Sequence, residues 1–445
     1  MKKIKLNIKK SELALLGGKP VQAQPTVARD LISPEARRAA NTAMKTELSK
    51  FLGRGGKRFY GGEHVLKLEE EAKKYFGTKY AVSFNSATTA LQAAVAAVGV
   101  GPGDQVITSP FTMPATATAI LLNGAVPTFA DIDPDTYCVN AKSIEKQIKK
   151  NTRAILAVNI FGGTADYGPI KKLAKKHNLP IIEDNAQSPG ATYQGKLAGT
   201  IGDIGILSFN VHKVIQSGEG GMLITNNKRY AYRAALVRNH GEAVMDDVWE
   251  SEPNTRELIV GSNYRLTELQ AAIMVEEFKR LDKLNNARIK QANYLTKKLE
   301  KISWLSGAHV LPKSKHVYYL YPLKVDEKKI GLHRDTIAKA LAAEGFPVQI
   351  GYQKPIYLMP LFQEKRMYEH SRFPFISKEF RQKYDYRKGT CPVTERIYEH
   401  EIMVTKLCKP PHNKKSIDDF IAAVKKIEKE RDNLEQYERR ATLLS

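Results

Sequence analysis

Hydrophobic and polar positions along the chain keep switching between two periods. KLEEEAKKYFG (67–77) spaces its apolar residues as one face of a helix, and KYAVSF (79–84) follows as a short apolar run. The alternation then continues: ATTALQAAVAAVG as helix, DQVITSP as strand, TATAILLNG as helix, VPTFADID as strand. SIEKQIKK, RAILAVNIFG, GPIKKLAKKHN and LPIIEDNAQ extend it as helix, strand, helix, strand. Strands that are apolar throughout are buried on both faces, and helices of this length between them make crossovers. The pattern predicts βαβ units and a doubly wound, mostly parallel α/β sheet covered by helices on both sides.

Beyond residue 265 the texture changes. LTELQAAIMVEEFKRL (266–281) reads as part of a long helical stretch of the kind that bridges two domains. VYYLYPLKV (317–325) and FPVQIGY (346–352) read as strands, with TIAKALAAEG (336–345) as a helix between them. SIDDFIAAVKKIEKERDNLEQYERR (416–440) reads as a single helix capped by Ser416. The expected organisation is an N-terminal arm over 1–30, a large α/β domain over 31–284 and a smaller α+β domain over 285–445.

Composition narrows the function classes. At 445 residues, 42% hydrophobic and 26% charged, the chain has the make-up of a soluble globular protein. It contains no apolar run of the roughly 18–20 residues that cross a bilayer. LALLGG after the basic MKKIKLNIKK is too short for a secretory signal core, so a cytoplasmic location is expected. Cys138, Cys391 and Cys408 are far apart and suggest neither a disulfide framework nor a metal pair. The net charge of +23 admits nucleic acid, a membrane surface or an anionic substrate as partner. Its lysines are spread along helical stretches among acidic residues, with no aromatic-interleaved basic motif and no zinc finger. That reads as a solvated basic surface, with no nucleic acid and no membrane as partner.

In an open α/β sheet, ligands sit beyond the carboxyl ends of the strands, and three segments fall there. In FNSATTAL, Ser86, Thr88 and the backbone N–H groups at a helix start could hold a phosphate; the plainer reading is an N-cap by Ser86. In IIEDNAQ, Asp184 ends a buried strand, a costly position for a carboxylate without a cation. A protonated ring nitrogen would supply one; a turn or cap aspartate is the alternative. In SFNVHKVIQSGEGGMLIT (208–225), Lys213 lies between a buried strand and a glycine-rich turn. A lysine held rigidly in a partly apolar place loses proton affinity and becomes a nucleophile toward carbonyls. A phosphate cradle, a carboxylate for a pyridinium and an amine for a Schiff base are the three handles of pyridoxal phosphate. Other motifs fail. GVGPGD (99–104) follows a helix instead of a strand, and GxxxxGK[ST], HExxH and GxSxG are missing. The ten histidines show no metal-ligand spacing, so no metal is expected, and His212 reads as packing or a substrate contact.

With these residues the chain resembles the DegT/DnrJ/EryC1/StrS sugar aminotransferases of fold type I, over nearly its whole length. The likeness runs through LALLGGKP, GGEHVLKLEEE, NSATTALQAA, GDQVITSPFT, IIEDNAQSPGA, GDIGILSFNVHKVIQSGEGG, RNHG, GSNYRLTELQAA and CPVTER. It implies that Lys213 forms the Schiff base and shuttles a proton between cofactor carbon and nitrogen. Asp184 would hold the pyridine nitrogen protonated and Gln187 would contact the ring hydroxyl. Ala87, Thr88 and Ser208 would bind the phosphate. Asn263 would reach the phosphate of a partner subunit's cofactor, implying a homodimer with active sites at the interface. Met113 stands where the family carries an aromatic ring, with Phe111 two residues earlier, and Asn210 stands where histidine is common. The family's dehydratases replace the lysine with histidine. Here the step from Lys213 to Gly218 keeps lysine in register and leaves His212 one place off, which points to transamination.

The resemblance implies amino transfer from L-glutamate or L-glutamine to a keto-sugar, most commonly a nucleotide-linked keto-hexose. A keto-cyclitol is the alternative, since LALLGGKP also resembles aminocyclitol and aminobenzoate enzymes. The rivals are a dehydratase or lyase using the same cofactor, a non-catalytic regulator of the same fold, and a nucleic-acid-binding protein.

Overall fold

The structure, a computed structural model, describes residues 11–26, 32–51, 57–241, 256–380 and 384–444. The basic leader read at 1–10 lies outside them. Seven strands form the main sheet: β1 (Tyr80–Phe84), β2 (Gln105–Thr108), β3 (Val126–Phe129), β4 (Thr152–Val158), β5 (Ile181–Asp184), β6 (Ile204–Ser208) and β7 (Gly221–Thr225). Their order is β1-β7-β6-β5-β4-β2-β3. Only β7 runs against its neighbours, pairing antiparallel with both β1 and β6. The reason is local: the chain between β6 and β7 contains no helix to carry a crossover, so the two strands form a hairpin. Lys213 sits on that connection.

Helices cover both faces as the apolar strands require. They include α1 (Pro34–Ala43), α2 (Glu63–Phe76), α3 (Ala87–Ala97), α4 (Ala115–Leu121), α5 (Ala141–Gln147), α6 (Tyr167–His177), α7 (Lys228–Arg238) and α8 (Glu268–Phe278). The alanine-rich α3 is buried along most of its length and packs against α4 and α7. Its small side chains are what permit helices on either flank to approach. The predicted bridging helix ends at Phe278, and α9 (Leu281–Leu299) begins three residues later. The expected domain boundary after 284 falls inside α9.

A second, antiparallel sheet joins β8 (Leu305–Ser306), β9 (Tyr321–Val325), β10 (Gln349–Ile350) and β11 (Ile402–Thr405) in the order β8-β9-β11-β10. With α9, α10 (Arg334–Ala343) and α11 (Lys414–Lys429) it encloses a separate apolar core. The arm enters that core through Leu13, and its Ala14 and Val21 N–H groups donate to the buried Glu344 carboxylate at 2.9 Å each. Residues 355–380 and 384–391 cross back to cover the edge strand β3. There Phe129 N–H donates to the Tyr384 hydroxyl and the Tyr386 hydroxyl donates to Pro127 O, both at 2.8 Å. Cys138, Cys391 and Cys408 are buried thiols without disulfides. No helix among the described residues is long and apolar enough to cross a membrane.

Three predicted elements differ. The C-terminal helix is capped by Asn413, whose side chain accepts the Ser416 N–H at 3.2 Å while the Ser416 hydroxyl reaches back to the Asn413 N–H. Ser416 therefore belongs to the first turn of the helix. That helix also breaks at Glu430, and α12 (Arg431–Leu444) follows. The strands predicted over 317–325 and 346–352 are short, because 317–320 and Tyr352 leave the sheet and turn toward Phe161, Gly162 and Gln187. Val317 and Leu320 give their N–H groups to Gly162 O and Phe161 O, at 2.8 and 3.2 Å.

Candidate active site

The candidate residues lie at the carboxyl ends of β5 and β6, on the loop after β6 and at the start of α3. At the end of β5, Asp184 is buried, with 6% of its surface exposed. One carboxylate oxygen accepts the Thr116 hydroxyl at 2.9 Å and the other the Ala186 N–H at 3.2 Å. Burial raises its proton affinity above the ordinary carboxylate value, opposed by these two hydrogen bonds and by the charge of Lys213.

Lys213 is carried on the loop joining β6 to β7. That loop is fastened by N–H donation from Phe209 to Gly220 O, from Val211 to Gly218 O and from Lys213 to Asn210 O. Gly218 sits at φ +84°, where a side chain would be strained. The Lys213 Nζ lies 4.8 Å from the centre of the Tyr319 ring. Burial brings the amine down from 10.5 to about 8, with the Asp184 charge acting in the opposite direction. At pH 7 about a tenth of such an amine is the free base, far more than of an exposed lysine.

Gln187 is oriented from two sides. Its Oε1 accepts the Phe161 N–H at 2.9 Å, and its Nε2 donates to the Tyr352 hydroxyl at 2.8 Å. Ser86 caps α3, its hydroxyl accepting the Thr89 N–H at 3.2 Å. The next two N–H groups, of Ala87 and Thr88, have no acceptor among the described residues. Strand β7 presses on this helix start through Gly221: a β-carbon there would come within 2.5 Å of the Ala87 nitrogen. Ser208 ends β6, buried, with its hydroxyl 3.4 Å from the Asn210 N–H. Met113 is 44% exposed, whereas Phe111 is fully buried and edge-packed against Phe161 and Tyr352. Asn210 bonds Glu219 through its side chain, and His212 is exposed.

Asn263 is exposed at the surface of the chain. Its backbone is bridged to Asn239, while Tyr264 N–H donates to Arg238 O and Tyr264 O accepts the Asn85 N–H, both at 2.9 Å. Arg238 is wholly buried and donates to Glu69 at 2.8 Å. Sequence reasoning missed Thr116, Tyr319, Tyr352 and this Arg238–Glu69 pair. The first three come from segments that read as helix or strand filler, and only the folded chain brings them to the site. The fold also gathers Glu327, His333 and His400, whose ligand-type atoms lie within 4.8 Å of one another. His333 Nδ1 accepts the Asp335 N–H at 3.1 Å, so the ring proton is on Nε2, facing Glu327. That tautomer suits a helix cap rather than a ligand.

The site fits pyridoxal phosphate on its own donor set. The buried Asp184 has Lys213 as its nearest cationic influence and gains from a protonated ring nitrogen. The helix start with its two unengaged N–H groups, flattened by Gly221, offers an anion cradle, and Lys213 offers a nucleophilic amine.

Residues 43–378 match the DegT/DnrJ/EryC1/StrS aminotransferase family. The chain is 36% identical over 302 residues to the GDP-perosamine synthase of Caulobacter vibrioides, covering 67% of this chain and 78% of that one. It is 32% identical over 399 residues to the L-glutamine:2-deoxy-scyllo-inosose aminotransferase of Streptoalloteichus tenebrarius, covering 86% and 90%. Its fold matches the X-ray structure of the aminotransferase from Psychrobacter cryohalolentis with a TM-score of 0.76 at 27% identity, over 90% of this chain and 98% of that one. The chain belongs to the DegT/DnrJ/EryC1/StrS family and is a pyridoxal-phosphate-dependent aminotransferase of fold type I.

Proposed function

We propose that this aminotransferase moves the amino group of L-glutamate or L-glutamine onto the keto group of a nucleotide-linked hexose, acting as a cytoplasmic homodimer. The observation that carries the chemistry is the Lys213 amine, lowered to about 8 beside a buried carboxylate. The cofactor, when bound, supplies an electron-withdrawing ring on which the amino group rests between the two half-reactions. Lys213 would hold it through its amine and, when that amine is free, would serve as the base that moves a proton at the reacting carbon. Asp184, steadied by Thr116, keeps the ring nitrogen protonated. Gln187 donates to the ring hydroxyl. Ala87 and Thr88 give their N–H groups, and Ser208 its hydroxyl, to the phosphate. Met113 covers the ring face, a soft thioether contact in place of an aromatic one. Asn263 reaches the phosphate in the partner's site.

The choice of acceptor rests on the net charge of +23 and on the likeness to a GDP-sugar enzyme. A diphosphate-bearing acceptor profits from a basic surface, and its KM then climbs with ionic strength. The likeness to an inosose aminotransferase supports a keto-cyclitol as second reading. The test is spectral. The visible band of the holoenzyme should bleach with L-glutamate or L-glutamine and return on adding a nucleotide-linked keto-hexose. Return with a keto-inositol alone selects the second reading. A band unchanged by either donor would instead support a lyase or a different amino donor.

A further inference from the structure

The reading above gives no task to the half-buried Tyr352. Tyr352 belongs to the small domain, directly after β10, yet its hydroxyl meets Gln187 of the large domain. The chain goes to some length to place it there. Gly351 is at φ +71° and Tyr352 at φ +69°, two left-handed residues in succession that turn the backbone just after its last bond to β11. A bulky residue in that region is a strained outlier, held only where its surroundings over-determine it. Those surroundings are on hand. A β-carbon at Gly351 would lie 2.9 Å from the Tyr398 ring, and Gly351 N–H donates to Ile402 O at 3.0 Å. The Tyr352 ring packs edge-on against Phe161 and Phe111, with centroids 5.0 and 5.8 Å apart. Phe161 is itself at φ +58°, and it is the residue whose N–H fixes Gln187.

The hydrogen bonds settle which way Gln187 points. A backbone N–H only donates, so the atom that accepts from Phe161 is the amide oxygen, and the end facing Tyr352 is the amide nitrogen. That nitrogen has two N–H groups. We propose that Tyr352 is a positioning residue for amino transfer: it takes one of them, leaving the other for the ring oxygen of bound pyridoxal phosphate. Through this one bond the placement of the small domain is felt at the cofactor. The inference rests on the reading of Gln187 and Lys213 given above.

Tyr352→Phe tests it, because the ring, its packing and its backbone cost all remain and only the hydroxyl is lost. A hydrogen bond to the charged form of an acid favours that form. With the Gln187 amide less well held, the ring oxygen bears its negative charge less easily and the adjacent proton is retained to higher pH. The midpoint of the pH titration of the holoenzyme's visible band should therefore rise, by about half a pH unit or more. The same substitution in a Gln187→Ala background should move the midpoint no further, since the partner it acts through is gone. An unchanged midpoint in Tyr352→Phe overturns the proposal, and so does an equal shift in both backgrounds. A wild-type protein without a visible band, or a band that survives Lys213→Ala, overturns the Lys213 reading and this proposal together.

Discussion

Thr116 donates its hydroxyl to the Asp184 carboxylate at 2.9 Å and so ties the end of β5 to the first turn of α4. The carboxylate is thereby fixed before any cofactor arrives, and it faces the amine that the β6–β7 loop delivers. Burial drives the two groups toward neutrality, raising the acid and lowering the amine, while their mutual attraction resists both shifts.

This coupling predicts the pH dependence of cofactor capture by the apoprotein. The folded pKa of Lys213 is depressed, so the amine is charged below about 8 and free above it. Only the free amine attacks an aldehyde. The second-order rate constant with pyridoxal phosphate should climb about tenfold per pH unit below that value and level off above it, where an ordinary lysine would still be climbing near pH 10. Asp184→Asn removes the attraction that holds the proton on Lys213. Its plateau should begin at lower pH than that of the wild type. Stopped-flow absorbance across pH 6–10 measures both profiles, and a plateau that moves upward in the variant would refute the coupling.

Gly221 offers a test of the phosphate cradle that touches no polar group. A β-carbon at this position would come within 2.5 Å of the Ala87 nitrogen and of the Ser86 carbonyl, all backbone atoms with little room to give. Gly221→Ala should push the start of α3 away from β7 and spread the N–H groups of Ala87 and Thr88. Affinity for pyridoxal phosphate should fall by about tenfold or more, the scale of one or two charge-assisted hydrogen bonds. Affinity for pyridoxal, which has no phosphate, should change little. Equilibrium titration with the two ligands separates this outcome from a general loss of structure, in which both would weaken alike.

The same residues show what could be read before the fold was seen. The alternation from 67 to 187 was legible because apolar runs of strand length and helices of crossover length leave few other topologies. Lys213, Asp184 and the Ser86–Thr88 turn were legible because each interrupts a regular element at its end. Less visible was the antiparallel sense of β7, since MLIT reads the same in either direction and only the missing helix between 208 and 221 decides it. Tyr319 and Tyr352 stayed hidden for a sharper reason. VYYLY and QIGY have the composition of strands, but Tyr318 at φ +51° and the Gly351–Tyr352 pair leave the strand path there. At 317–320 the carbonyl groups of Phe161 and Gly162 claim the backbone and override local propensity.

The pair formed by Glu69 and Arg238 carries a prediction about stability. One Glu69 oxygen receives the Ser83 N–H, the Ser83 hydroxyl and the Arg238 guanidinium, all at 2.8 Å, while Arg238 lies 4.7 Å over the Phe51 ring. Together they bind α2, β1 and the end of α7. Removing the negative charge leaves a fully buried guanidinium with neutral partners, among them the carbonyl groups of Ser83 and Tyr60 and the Ser83 hydroxyl. Glu69→Gln should cost about 3–5 kcal/mol, the usual penalty for breaking one side of a buried ion pair. Urea unfolding of the two holoproteins measures it. A loss below about 1 kcal/mol would mean that the pair contributes no more than a surface contact.

Arg238 also leads to the last prediction, because its carbonyl and that of Tyr264 anchor the segment that presents Asn263. Asn263 is exposed on this chain, although its neighbours on either side are tied down, as expected of a side chain that serves a partner's site. In a homodimer with shared sites, Asn263→Asp places a negative charge against the partner's cofactor phosphate and should disable both sites. Lys213→Ala disables both as well. A mixed dimer of the two variants differs: the site containing the intact Lys213 receives its Asn263 from the Lys213→Ala chain and is whole. Equal amounts of the two inactive proteins, unfolded and refolded together, should therefore recover about a quarter of wild-type activity. Half of the dimers are then mixed, and each has one good site of two. No recovery, with mixed dimers verified by differential tagging, would place Asn263 in its own subunit's site, and full activity of Asn263→Asp alone would place it outside any site.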